Sequence, residues 1–219
     1  MHRSHYGTYL FDLDGTLIDS TGLIMEAFRH ALRTTFGLEP SSDQERRWRE
    51  GFGTPLRPQL AKFSESDDQL NELVETYKSY TAMHHDRVIS SYLGMNEVVH
   101  NLSQAGVQLA IVTSKTHLLA RRGLERCELN EYFDIVIGMD DVEKHKPDPT
   151  PVLAALTRLS AHPTSTVFIG DSPHDVIAGH GAGVDTAAVL WGGFAREVLE
   201  KESPRHVLST PADILEMVP

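Results

Sequence analysis

Residues 11–17 read Phe11-Asp12-Leu13-Asp14-Gly15-Thr16-Leu17 and follow the apolar pair Tyr9-Leu10. A short apolar run closed by a glycine turn predicts a strand buried on both faces. This one ends on two carboxylates, Asp12 and Asp14, two positions apart. Similar apolar runs at 108–113, 133–137, 166–170 and 186–191 predict four further strands. Between them, segments 97–104, 118–126, 152–159 and 175–179 carry apolar residues at helical spacing. Alternating strand and helix predicts an α/β fold, a Rossmann-like parallel sheet with helices on both faces.

The spacing breaks once. About ninety residues separate the first strand from the second, whereas a parallel crossover needs little more than a dozen and its helix. The inserted segment is helical in pattern. Residues 22–36 place Leu23, Ala27, Ala31 and Leu32 on one stripe and stop at Gly37, and Ser66-Asp67-Asp68 suits the start of a helix carrying Leu70, Leu73, Val74 and Tyr77. Residues 18–86 therefore read as an inserted all-helical cap, with residues 1–17 and 87–219 forming the core. Hinges are expected near 18–21 and 85–91.

Charge narrows the function. With 20 basic and 31 acidic side chains the net charge is −11, which repels nucleic acid and anionic lipid. An anionic ligand would need a local device to hold it. The single cysteine, Cys127, forms no internal disulfide. The segment 1–9 lacks an apolar signal core, and no apolar run reaches the roughly 20 residues of a membrane span. A cytoplasmic location is the expectation, and the sequence is silent on oligomeric state.

In open α/β sheets the ligand lies beyond the carboxyl ends of the strands. There the chain places Asp12 and Asp14 after the first strand, Thr113-Ser114-Lys115 after the second, the loop Asp140-Asp141-Val142-Glu143-Lys144-His145-Lys146-Pro147-Asp148-Pro149 after the third, and Gly170-Asp171-Ser172-Pro173-His174-Asp175 at the fourth. Singly, each has an ordinary role as turn former or helix cap. Together, several carboxylates meeting a hydroxyl and a lysine at one sheet edge call for a cation and an anion. Hard oxygen ligands of this kind suit Mg²⁺.

These four motifs, in this order, resemble those of the haloacid dehalogenase-like superfamily, and the likeness extends through the helical cap. The resemblance implies Asp12 as a nucleophile that forms an aspartyl-phosphate. It implies Asp14 as the acid and base that protonates the leaving oxygen and then deprotonates water. Thr113, Ser114 and Gly15 would border the phosphoryl oxygens, and Lys146 would neutralise charge there. Asp171 would hold Mg²⁺ beside the Asp12 carboxylate and the Asp14 main-chain carbonyl, with Asp175 as ligand or support. Lys144 competes with Lys146, but the family's lysine immediately precedes a Pro-x-Pro turn, as Lys146 does.

Asp14 favours phosphoryl transfer over dehalogenation, because halide leaves without a proton. The segments Val112-Thr113-Ser114-Lys115, Phe133-Asp134-Ile135-Val136 and His84-His85-Asp86 liken the chain to the phosphoglycolate phosphatase group and its inorganic pyrophosphatase branch. The expected activity is thus Mg²⁺-dependent hydrolysis of a small phosphorylated substrate. A sugar-phosphate phosphomutase and a non-catalytic phosphate-binding protein stand as alternatives. In the cap, Gly51-Phe52-Gly53-Thr54-Pro55-Leu56 reads as a loop able to approach the site. Arg47 and Arg57 are either a second anion site or solvated, Trp48 and Phe52 either cap core or substrate wall, and the two adjacent histidines a hinge contact more than a metal site.

Overall fold

The computed structural model describes residues 6–218. The first five residues, part of the N-terminal stretch discussed above, and Pro219 lie outside them. The core is a six-stranded parallel sheet of order β5-β4-β1-β6-β7-β8. Its strands are β1 (Thr8–Phe11), β4 (Gln108–Val112), β5 (Ile135–Ile137), β6 (Thr166–Gly170), β7 (Asp185–Val189) and β8 (His206–Leu208). The central strand β1 is buried throughout, as is β6. Both faces are covered, which is why these strands read as continuous apolar runs rather than alternating ones.

Helices α5 (Met95–Gln104), α6 (His117–Arg126), α7 (Thr150–Leu159), α8 (Pro173–Gly181) and α9 (Arg196–Leu199) flank the sheet. Tyr9, Phe11, Ile111, Val167 and Ile169 pack on one side with Val98, Val99, Leu102 and Leu124. Leu10, Ala110, Val112 and Phe168 pack on the other with Val152, Leu156 and Ala178. The alternation of Tyr9 and Phe11 with Leu10 across one strand divides the core into these two layers.

The strands stop where the chemistry-bearing residues begin. Phe11 lies level with Ile111 of β4 and Ile169 of β6, and the Asp12 N–H donates to the Ile169 carbonyl at 2.9 Å. The regular strands are shorter than the apolar runs: β5 starts at Ile135 rather than 133, and β7 ends at Val189 rather than 191. Phe133 instead packs edge-on against the Phe11 ring at 6.0 Å, and Trp191 donates its indole N–H to the Thr16 carbonyl at 2.9 Å. Phe133 is thus buried, and Trp191 partly buried, by packing outside the sheet ladder.

Between β1 and β4 the chain forms α1 (Thr21–Phe36), α2 (Ser42–Arg49), α3 (Leu56–Leu60) and α4 (Asp67–Val88). Gly37 takes the left-handed conformation at φ 71° and ends α1, its N–H donating to the Arg33 carbonyl. These helices have their own core of Phe28, Ala31, Leu32, Trp48, Leu60, Leu73 and Tyr77, in which Phe28 stacks on Trp48 at 4.5 Å. The crossings in and out of this segment pair as a minimal antiparallel ribbon, β2 (Ile18–Asp19) with β3 (Ser90–Ser91).

Candidate active site

Parallel register brings the loops after β1, β4 and β6, with the loop before α7, to one edge of the sheet. Lys146 is the centre of charge there. Its Nζ donates to an Asp12 oxygen at 2.6 Å and to an Asp175 oxygen at 2.6 Å, with Lys146 and Asp175 side chains each only 1% exposed. The peptide bond from Lys146 to Pro147 is cis. Lys144, by contrast, is 72% exposed and faces Asp148 at 3.6 Å.

Asp12, Asp171 and Asp175 are buried and each offers a carboxylate oxygen within 4.8 Å of the others. Burial raises the Asp12 carboxyl to about 7; Lys146 opposes the rise, and Asp175 and Asp14 add to it. Asp171 is likewise raised well above the usual range, first by burial and then by Asp12 and Asp175. Burial works against the Lys146 charge, yet Asp12 and Asp175 outweigh it and hold the ammonium above its ordinary value. As carboxylates the three carry more negative charge than Lys146 alone offsets. That excess, on hard oxygen donors, fits a small divalent cation such as Mg²⁺.

Local structure fixes these side chains. Ser172 caps α8: its hydroxyl accepts from the Asp175 N–H, and the Asp175 carboxylate accepts from the Ser172 N–H at 3.0 Å and its hydroxyl at 2.6 Å. Asp171 accepts from the Gly193 N–H at 2.7 Å. Gly15 sits at φ 82°, and a Cβ there would run into the Asp171 carboxylate, so the close approach requires glycine.

Asp14 faces elsewhere. Its Oδ1 accepts from Lys115 Nζ at 2.6 Å and from the Ser20 hydroxyl. Thr113 is buried, and its hydroxyl accepts from the Lys115 N–H at 3.2 Å. Ser114 turns toward the helical segment and donates to the Gly53 carbonyl at 2.6 Å. Gly53, at φ 86°, comes so close that a Cβ would lie 2.7 Å from the Ser172 hydroxyl. The loop at 51–56 thus reaches both Ser114 and Ser172.

Above Asp12 and Asp14 opens a cavity of about 390 Å³, bordered also by Gly15, Thr113, Ser114, Asp171, Trp48 and Phe52. Trp48 and Phe52 therefore belong both to the core of the helical segment and to the cavity wall. Arg47 and Arg57 are absent from that wall. Arg47 lies over the Phe63 ring and bonds the Lys62 carbonyl, and Arg57 bonds Asn71, so both are engaged within the helical segment. Asp14 is held by Lys115, which the sequence places after the second strand without showing its role, and by Ser20, which no motif singles out. The adjacent histidines differ: His84 lies against the Tyr80 ring at 4.3 Å, whereas His85 Nδ1 lies 2.7 Å from Asp86, and Arg122 donates to the same carboxylate at 3.0 and 2.8 Å.

Known proteins resemble this chain. A family model described as haloacid dehalogenase-like hydrolase matches residues 9–189, which contain every side chain of the cluster. The chain belongs to the haloacid dehalogenase-like hydrolases. It is 36% identical to the pyrophosphatase PpaX of Halalkalibacterium halodurans over 211 residues, 96% of each chain. A hydrolase from Pseudomonas syringae, 26% identical, superposes with a TM-score of 0.84 over 95% of both chains. A predicted phosphoglycolate phosphatase from Haemophilus somnus, 21% identical, superposes with a TM-score of 0.87 over 97% of both, a likeness of fold.

Proposed function

We propose that this family member is a Mg²⁺-dependent phosphohydrolase that acts on a small phosphorylated compound through an aspartyl-phosphate on Asp12. On this reading residues 18–86 act as a cap over a catalytic core of residues 1–17 and 87–219. The observation that carries it is the division of labour between the two carboxylates of the first loop. Asp12 is buried against Lys146, whereas Asp14 sits at the cavity wall with Lys115 and Ser20.

The Asp12 carboxylate attacks phosphorus while the bond to the leaving oxygen breaks, and Asp14 gives that oxygen a proton. Asp14 then takes a proton from the water that attacks the acyl phosphate, which releases phosphate and restores Asp12. Lys146 stands against the charge on Asp12 and the phosphoryl oxygens, and Thr113 with the backbone at Ser114 borders the same oxygens. Asp12, Asp171 and Asp175, with the Asp14 main-chain carbonyl, would hold Mg²⁺. When bound, the ion would offset the clustered carboxylate charge and polarise the phosphoryl group. An acid at Asp14 supports phosphoryl transfer over halide displacement, which requires no protonated leaving group.

Acid-quenched single turnovers with a ³²P-labelled phosphate compound test the mechanism. Label should remain on the protein in a hydroxylamine-sensitive linkage, and Asp12→Asn should neither trap label nor release phosphate. Turnover by that variant at the native rate would overturn the assignment.

A further inference from the structure

The cavity above Asp12 and Asp14 has a chemical character of its own. At about 390 Å³ it falls within the range of small-molecule sites, and its walls include Leu23, Ile24, Trp48, Phe52, Leu56 and Leu119. Three cationic side chains border it, Lys78, Lys115 and Arg122. Each already has a carboxylate: Lys115 pairs with Asp14 at 2.6 Å, Arg122 with Asp86 at 2.8 Å and Lys78 with Glu75 at 3.4 Å. Arg47 and Arg57 are bonded elsewhere in the cap.

Lys78 and Arg122 sit in solvent-exposed pairs, so a second anionic group seated against the buried walls would have to desolvate its charge there or draw Lys115 away from Asp14. Either is costly. An uncharged apolar group would instead be driven into the cavity by its own burial. We infer that the substrate is the phosphate monoester of an alcohol with an apolar body, carrying no anionic group besides the phosphoryl. This specificity rests on the phosphohydrolase reading above. It differs from pyrophosphate and from 2-phosphoglycolate, both of which bring a second negative group to the leaving side.

A homologous series tests it. The n-alkyl phosphates from propyl to hexyl have nearly constant leaving-group chemistry, so their kcat/KM in the presence of Mg²⁺ reports the cavity. The expected rise is about three- to fourfold per methylene, with the longer members exceeding both pyrophosphate and 2-phosphoglycolate. In Leu119→Lys, a change on the partly exposed face of α6, the slope should flatten and kcat/KM for pyrophosphate should rise. A flat alkyl series in the native protein, an unchanged slope in Leu119→Lys, or a preference for pyrophosphate or phosphoglycolate would overturn the inference while leaving the phosphohydrolase reading intact. Release from no compound at all would overturn both.

Discussion

The Lys115 ammonium stands 2.6 Å from Oδ1 of Asp14, although 101 positions separate them in sequence. The Ser20 hydroxyl donates to the same oxygen. A carboxylate that must give and then take a proton at one place gains from being held in one rotamer, and these two donors hold it. Asp14→Asn is expected to lower kcat by about 10²- to 10⁴-fold, the range for a lost general acid and base. Lys115→Met should lower it less. The double variant should be no slower than Asp14→Asn alone, because Lys115 acts through a carboxylate already gone. Additive losses in steady-state kinetics would give Lys115 a separate role.

Lys146 serves stability as well as chemistry. It is buried between Asp12 and Asp175, so Lys146→Met leaves those carboxylates without their cation, a change that costs about 3–5 kcal/mol for a buried pair. Urea denaturation in chelator should show that loss, and saturating Mg²⁺ should recover part of it. Asp12→Asn has the opposite balance: it abolishes turnover yet removes repulsion within the cluster, so its metal-free stability should equal or exceed that of the native protein. In the native protein, Mg²⁺ at about 100 times its Kd should add about 2.7 kcal/mol. No shift of the denaturation midpoint on adding the ion would remove the cluster from consideration as its site.

Much of this arrangement was legible in the sequence for one physical reason. Central parallel strands are apolar on both faces, so their ends are visible, and functional side chains follow those ends. Asp12, Thr113 and Asp171 each come directly after such a run. Strand β8 escaped because it has only three residues and is largely half-buried, and β2 and β3 have two each. Helix α2 buries only Trp48, so it has no apolar stripe; its signal was the reciprocal capping pair of Ser41 and Gln44. The hold of Lys115 and Ser20 on Asp14 depends on the packing of three loops. No local pattern encodes that.

Glycine tests the crowding around Asp171. Gly15→Ala forces a side chain into a left-handed backbone and into the Asp171 carboxylate, where the conformation alone costs about 1–2 kcal/mol. Gly37, at φ 71° with nothing within 4 Å of an added Cβ, is the control for conformation without collision. Both alanine variants should lose stability, but only Gly15→Ala should lose most of its activity under conditions where both remain folded. Equal activities would mean that the position of Asp171 tolerates displacement.

The crossing from α4 back to the core should respond to acid through His85. Burial holds its imidazole below the usual value, and Lys115 and Arg122 act in the same direction, while Asp86 only partly opposes them. The unfolded chain therefore binds the proton more readily. Stability is full above about pH 6.5 and declines as pH falls below it. Asp86 acts in a separate window. Arg122 first, and then His85, hold its carboxyl at about 2 against an ordinary 3.8, so its contribution is present above that ordinary value and is lost as pH falls toward the lower one. His85→Gln should make the urea midpoint fall less steeply between pH 6.5 and 4.5 than in the native protein, on a background shared by both proteins: His174 and His206, which burial also lowers, pull the midpoint down with acid, while Asp12 and Asp171, whose carboxyls burial raises, push it up. Below pH 4 both proteins should still lose stability, because Arg122, the larger hold on Asp86, remains in both, and His85→Gln should lose less because the His85 contribution to that hold is gone. An unchanged slope in the upper window would mean that His85 titrates alike folded and unfolded.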